Sequence, residues 1–344
     1  MAIGDCRLSI GQCAGVVVLL LAPVGALSAP NLAWRFEFAP TYVDNVFEYS
    51  PADLDSFLHG VNPERFAARS SDDLDASVGL GCALHWRLGG RPGSAGLRTR
   101  FHGFVSNWEK SYGLAAFELE QAAWRGGEVR LSYLFLPDYL IRSYRVAGGG
   151  ADYVPCRFAE HLVSARVEQR LGNFSAAALV RHESDDYTAA FDYYDTWAWR
   201  LGPELGWRLR ENLKVSGSYE YKLAAARGPA PDISYTQHGI GVRVDTRPMS
   251  FDRFGVVAHY DYARREFTTA NPVSVDPAHA GRVDDISRAG VELRWRQGGA
   301  TFSLGYEAEW RSVLAASSYE IDDVKEYRKN SIGLGVALSS RSAR

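Results

Sequence analysis

The chain has 344 residues, 46% of them hydrophobic and 23% charged, with a formal net charge of −3. A mean hydropathy of −0.21 excludes a bundle of membrane-spanning helices, and near-neutral charge excludes a dedicated nucleic-acid binder, whose phosphate contacts need a concentrated basic surface. Aromatic residues at 12% exclude disorder, and only 4 cysteines in so long a chain exclude a small disulfide scaffold.

Residues 1–28 read as a secretory signal. Arg7 and the free amine form a weak positive region, and the run 14–22 is apolar but too short to span a bilayer as a helix. Ala26-Leu27-Ser28 puts small residues where a signal peptidase reads them, so cleavage is expected after Ser28, leaving one domain over 29–344. Cys6 and Cys13 leave with the signal. Cys82 and Cys156 remain and are expected as free thiols, since neither shows metal-ligand spacing.

Beyond residue 30 the pattern is period-2 alternation. Val78, Leu80, Cys82, Leu84, Trp86 and Leu88 share one face, opposite Ser77, Gly79, Gly81, Ala83, His85 and Arg87. Trp197, Trp199, Leu201, Leu205, Trp207 and Leu209 form a second such face, and Phe302, Leu304, Tyr306, Ala308 and Trp310 a third. Such runs predict 14 strands, near 32–48, 74–88, 97–106, 111–123, 128–140, 160–170, 174–182, 196–209, 213–224, 233–246, 253–266, 285–297, 300–311 and 326–338.

Gly89–Gly96, Arg125–Gly127, Leu171–Asn173, Arg210–Asn212, the stretch around Pro248 and Gly298–Gly299 read as short turns. The alternate connections, near 49–73, 141–159, 183–195, 225–232, 267–284 and 312–325, are longer; only Asn107–Lys110 is short on that side. The expected fold is all-β: a single closed antiparallel transmembrane β-barrel of about 14 strands, with short periplasmic turns and longer extracellular loops. Tryptophan placement agrees. Trp34, Trp86, Trp124, Trp207 and Trp295 fall at one set of strand ends, and Trp108, Trp197, Trp199 and Trp310 near the other, as two aromatic girdles would.

Strand parity then sorts the charges. The lumen is expected to carry Arg98, Arg100, His102, Arg130, Arg166, Arg170, Arg200, Arg208, Lys214, Lys222, Arg243, Arg288, Arg294 and Arg296, against Glu128, Glu168, Glu204, Glu220, Asp245, Glu292, Glu307 and Glu309. Excess guanidinium favours an anion path. Interleaving such as Arg166-x-Glu168-x-Arg170 fits cross-strand pairing that stiffens the wall instead. The long loops hold acids: Asp53, Asp55, Asp72, Asp73 and Asp75; Asp185, Asp186, Asp192 and Asp195; Asp322, Asp323 and Glu326. Solvated loop carboxylates, or divalent cations bridging them to lipopolysaccharide, are the two readings.

The chain resembles bacterial outer-membrane β-barrels over about residues 30–344. Its last strand runs Ser331-Ile-Gly333-Leu-Gly-Val336-Ala-Leu338 and resembles the carboxy-terminal signal read by the barrel-assembly machinery, ending on Leu338 instead of an aromatic. Thr41-Tyr-Val-Asp-Asn-Val-Phe47 and Asp276-Pro-Ala-His279-Ala-Gly-Arg282-Val-Asp284 are similar to stretches in 14-stranded barrels of surface-assembly and exopolysaccharide-associated systems. The resemblance implies a place in a Gram-negative-type outer membrane. Outer-membrane lipid, lipopolysaccharide and the assembly machinery are the partners it implies.

The expected function is a passive channel or an export or assembly pore for polar or anionic solutes or surface polymers. A non-conducting structural or assembly barrel is the first alternative. The second is a lipid-modifying hydrolase: His182 and Ser184 form a His-x-Ser pair similar to that of outer-membrane deacylases and phospholipases. Both share parity with the lipid-side Ala176, Ala178 and Val180, and Asp185 stands where those enzymes have Asn, so no catalytic residue is assigned. No metal or cofactor motif, and no nucleic-acid motif, is present in the sequence.

Overall fold

A computed structural model describes residues 31–146, 152–227, 231–246, 253–315 and 325–340. The strands are β1 (Asn31–Val43), β2 (Asp73–Leu88), β3 (Arg91–Phe104), β4 (Tyr112–Trp124), β5 (Gly127–Arg145), β6 (Tyr153–Leu171) and β7 (Phe174–Tyr187). They continue as β8 (Thr196–Arg210), β9 (Leu213–Ala226), β10 (Tyr235–Thr246), β11 (Phe254–Phe267), β12 (Val283–Gln297), β13 (Ala300–Leu314) and β14 (Tyr327–Ser339). Each pairs antiparallel with its neighbours in sequence, and β14 pairs with β1 through Phe36↔Leu338 and Tyr42↔Ile332, closing the barrel. Closure leaves no unpaired sheet edge, which is what lets strands cross a bilayer.

Alternation decides the two faces. Leu32, Leu80, Phe101, Val163, Leu205, Ile240, Leu293 and Leu334 all stand exposed on the outer wall. So continuous an apolar exterior on a closed sheet calls for hydrocarbon as its solvent. No helix among the described residues is long and apolar enough to cross a membrane.

Several boundaries differ from the sequence reading. The first hairpin turns on Gly89 and Gly90 alone, both at positive φ (57° and 78°), and β3 resumes at Arg91. Two central residues at φ > 0 match the twist of the flanking strands, so the Gly-rich stretch to Gly96 is strand. The connection expected over 141–159 is largely strand as well. Register shifts between Leu136 and Tyr139 and between Leu140 and Ser143 break the alternation there, which conceals the strand from a parity count. β7 runs on to Tyr187, and β1 stops at Val43 because the chain bends at Asp44 and turns at Val46–Phe47, where Glu48 N donates to Asn45 O. The signal segment, the turn around Pro248, and Asp322 and Asp323 lie outside the described residues.

The connection after β1 carries its own helix, α1 (Pro51–Leu58). Ser50 caps it by accepting from Asp53 N at 3.0 Å, with proline at the first helical position. Ahead of it, Asn45 holds both backbone groups of Tyr49 (2.8 and 2.7 Å) and donates to Arg328 O at 3.0 Å. These bonds turn the segment onto the barrel instead of away from it.

Candidate functional site: the lumen and its two mouths

The lumen wall interleaves signs because alternation places residues i and i+2 on the same face. Arg130 lies 2.8 Å from Glu120 and 3.1 Å from Glu128. Arg166 contacts Glu168 and reaches Glu204 at 3.3 Å, while Arg170 reaches Glu168 at 2.7 Å. Arg200 sits 2.6 Å from Glu183 and 3.3 Å from Glu220; Arg288 is 2.6 Å from Glu309 and 3.5 Å from Glu307; Arg294 is 2.5 Å from Glu292. Arg100 bonds Glu37, and His102 Nδ1 is 2.7 Å from Asp75. Lys222, fully enclosed, donates to Glu183 at 2.7 Å.

Of the bases expected on the inward face, the remaining five have no carboxylate within ion-pair distance among the described residues. Arg98 stands at mid-wall, between Gly81 and Ala116. Arg208, Lys214, Arg243 and Arg296 gather toward the short-turn end of β8–β12, and all five are exposed. Exposure on an inward face means water in that half of the lumen. Sequence parity omitted Glu37, Glu118, Glu120, Arg181 and Glu183 from this wall. Extending the alternation through β1, β4 and β7 would have found them.

The long-loop mouth is filled. Val46, Phe47, Tyr49 and Phe66 from the first loop pack on the inward Phe104 and Leu140, with Leu54 and Phe57 of α1 and Tyr112 alongside. Arg142 on β5 reaches Asp53 of α1 at 3.2 Å, and Arg65 contacts the same carboxylate. Lys329 on β14 bonds Glu48 at 2.5 Å. Lys110 is buried beneath this loop, donating to Leu140 O (2.8 Å) and Ile141 O (3.2 Å) with its ammonium over the Phe47 and Tyr139 rings. Burial pushes that ammonium down to about 7, and pushes the Tyr49 hydroxyl up to about 12. From the far side, Lys325 places its ammonium 5.1 Å from the Tyr144 ring, so a residue preceding β14 meets one on β5. Phe191, in the 3₁₀ segment after β7, is wholly buried.

The loop acids are therefore not simply solvated. Asp53 and Asp73 are almost wholly buried. Asp73 accepts from Ser106 N and Asn107 N, Asp186 pairs with Arg227 at 2.6 Å, Asp195 accepts from Tyr187 N at 2.7 Å, and Glu326 accepts from Val313 N at 3.1 Å. Their carboxylates stitch loops to strands, since orphan backbone donors at strand ends need acceptors. The Asp276–Asp284 stretch behaves alike: His279 Nδ1 lies 2.8 Å from Asp276, and Arg282 holds Asp284 at 2.7 and 2.8 Å.

His182 and Ser184 do not assemble as a pair. His182 stands edge-on to Trp199, with ring centroids 4.7 Å apart, and Ser184 accepts from Arg227 at 2.5 Å. Asp195 is engaged with backbone and Arg227. Cys82 faces outward, and Cys156 is buried on an inward face; both are free. Ser331 and Gly333 of β14 oppose Val43 and Thr41, while Val336 and Leu338 face outward. Of the tryptophans, Trp34, Trp108, Trp124, Trp197, Trp199, Trp207 and Trp310 are exposed on the outer wall, and Trp86 and Trp295 are half-buried.

No protein-family model matches the chain, and no curated protein sequence does. Among solved structures, the outer membrane channel DcaP of Acinetobacter baumannii is similar at 12% identity and a TM-score of 0.50, over 92% of this chain and 99% of that one. The fold is that of a bacterial outer-membrane β-barrel. An anion-selective porin from Comamonas acidovorans aligns at 10% identity (TM-score 0.47, 92% and 100% of the two chains). A loop-deleted OmpT of Vibrio cholerae aligns at 9% identity (TM-score 0.48, 91% and 100%).

Proposed function

We propose that this barrel is an outer-membrane channel for polar, preferentially anionic solutes or polymers, with its long loops outside the cell and its short turns in the periplasm. The supporting observation is Arg98 and the unpaired bases below it, inward-facing yet exposed, in a wall where Arg130, Arg166, Arg200, Arg288 and Arg294 are paired. Water and uncompensated positive charge in one lumen favour anion passage. Single-channel recording in planar bilayers under a salt gradient tests it. Conductance steps with an anion-preferring reversal potential are expected, and Arg98→Glu should move that potential toward cations. Repeated insertions without steps would remove the channel reading.

The filled long-loop mouth favours one competing reading, a non-conducting barrel. Replacing residues 51–66 with a short Gly-Ser linker separates the two: a gated channel gains conductance, and a structural barrel stays silent.

A further inference from the structure

We propose that the short-turn mouth carries a docking site for a carboxylate- or phosphate-bearing ligand, on the lumen faces of β8–β12. The proposal rests on the channel reading only for the direction from which the ligand comes.

Arg208, Lys214, Arg243, Arg253 and Arg296 are exposed in this sector, with no carboxylate within ion-pair distance among the described residues. Arg253, Arg294 and Arg296 line one recess with Asp245 over Gly255 and Val257. Arg294 already has Glu292 at 2.5 Å. Among the described residues of this sector six bases thus face two acids, while Arg210 and Glu211 of the adjoining turn offset each other in charge.

Register makes the arrangement costly. Arg208 stands directly opposite Lys214 across β8 and β9, and Asp245 of β10 opposes Lys214 from its other side beyond ion-pair distance. Arg296 N donates to Arg253 O at 2.8 Å, which sets those two side chains opposite each other as well. Like charges directly opposite destabilise a sheet. Like bases also stand opposite elsewhere on this wall, Arg130 to Arg166, Arg181 to Arg200 and Arg200 to Lys222, but there each has a carboxylate within ion-pair distance, as Arg130 has Glu120 and Glu128 and as Arg200 and Lys222 share Glu183. Among the described residues, the opposed bases left without such a carboxylate are in this sector, which marks a site completed by a counter-charge from outside the chain. Guanidinium groups suit carboxylate and phosphate oxygens, which they bind in pairs of parallel hydrogen bonds.

Position limits the occupant. The bases point into the barrel, out of reach of a folded acidic protein, so the ligand is a small anion or an extended acidic chain. Loops fill the opposite mouth, so it arrives through the short-turn rim.

Calorimetric titration of the refolded full-length chain in detergent tests the site, using oligogalacturonate for carboxylates and inorganic polyphosphate for phosphates at matched charge. At least one should bind at low salt and weaken as salt rises. The tighter of the two names the chemistry. The quadruple variant R208Q/K214Q/R253Q/R296Q should bind about tenfold more weakly, and R253Q/R296Q by a smaller factor. Both variants should unfold at a higher temperature than the parent without ligand, and ligand should raise the midpoint of the parent alone. Arg264→Gln, on the outer wall at the other rim, should change nothing. Binding of neither probe at low salt, or undiminished binding by both variants, overturns the proposal. Because conductance is not measured, a silent barrel that binds keeps the site, and a conducting barrel that does not bind loses it.

Discussion

Lys110 and Asp53 show how single buried charges hold the first loop in the barrel. Burial pushes Lys110 down to about 7, against an ordinary lysine value of about 10.4. Between those values the unfolded chain binds a proton that the folded chain does not, so stability rises as pH rises through that window and is lowest and flat below it. Denaturant unfolding at pH 7, 8.5 and 10 should show this rise in the parent and a smaller one in Lys110→Met. Equal slopes in the two proteins would assign the dependence to other groups. Asp53 pairs with both Arg65 and Arg142. Asp53→Ala leaves two partly buried guanidiniums uncompensated, at a cost of about 3 kcal/mol. The loss falls on the loop and not the barrel, so tryptic cleavage near Arg65 should accelerate while global unfolding barely moves. Neither role was legible in the sequence. Asp53 read as a solvated loop acid, and Arg142 lay inside the second of two register shifts that broke the parity count.

At the scale of paired strands, the short-turn rim repeats one device. Trp86 on β2 lies opposite Gly93 on β3, which lies opposite Gln121 on β4, and Trp86 Nε1 donates to Gln121 Oε1 at 3.0 Å. Trp124, Gly127 and Gln169 repeat the ladder across β4, β5 and β6, with a 2.5 Å bond. Each indole fills the notch a glycine leaves, and its N–H finds a partner at the membrane boundary. A Cβ on Gly127 would stand 1.9 Å from the Trp124 ring. Gly127→Ala should therefore cost about 2 kcal/mol through overpacking and shift tryptophan emission. Gly172→Ala, where nothing lies within 4 Å, should leave emission unchanged and lose only backbone freedom at φ +61°. The other rim uses tyrosine: Tyr133 bonds His161, Tyr219 bonds His238 and Tyr306 bonds Asn330, each at 2.8–2.9 Å. The places of the tryptophans near strand ends were readable in the sequence, whereas these glycine and glutamine partners required the register.

For the whole molecule, closure and blockage are carried by different parts of the chain. The strands close through main-chain pairing all round, from β1 to β14. The first loop only packs on the inner wall at one end. Removing residues 51–66 should thus leave a heat-resistant, compactly migrating barrel on electrophoresis while raising conductance. A variant that no longer folds, or one that folds with unchanged conductance, would show that the loop is part of the frame or does not obstruct the path.

Alternation by itself marked the strands and their two faces, because a side-chain period of two is a local property of every strand, while the regular succession of short turns and long loops pointed to the closed barrel. It also separated the long-loop rim from the short-turn rim. Tertiary structure decided which charges are neutralised, since that depends on the stagger between strands. It also decided that loop acids such as Asp53 and Asp73 serve as internal ties, and that a loop rich in aromatic residues turns inward onto Phe104 and Leu140. Those outcomes rest on contacts between segments far apart in the chain, which no local pattern encodes.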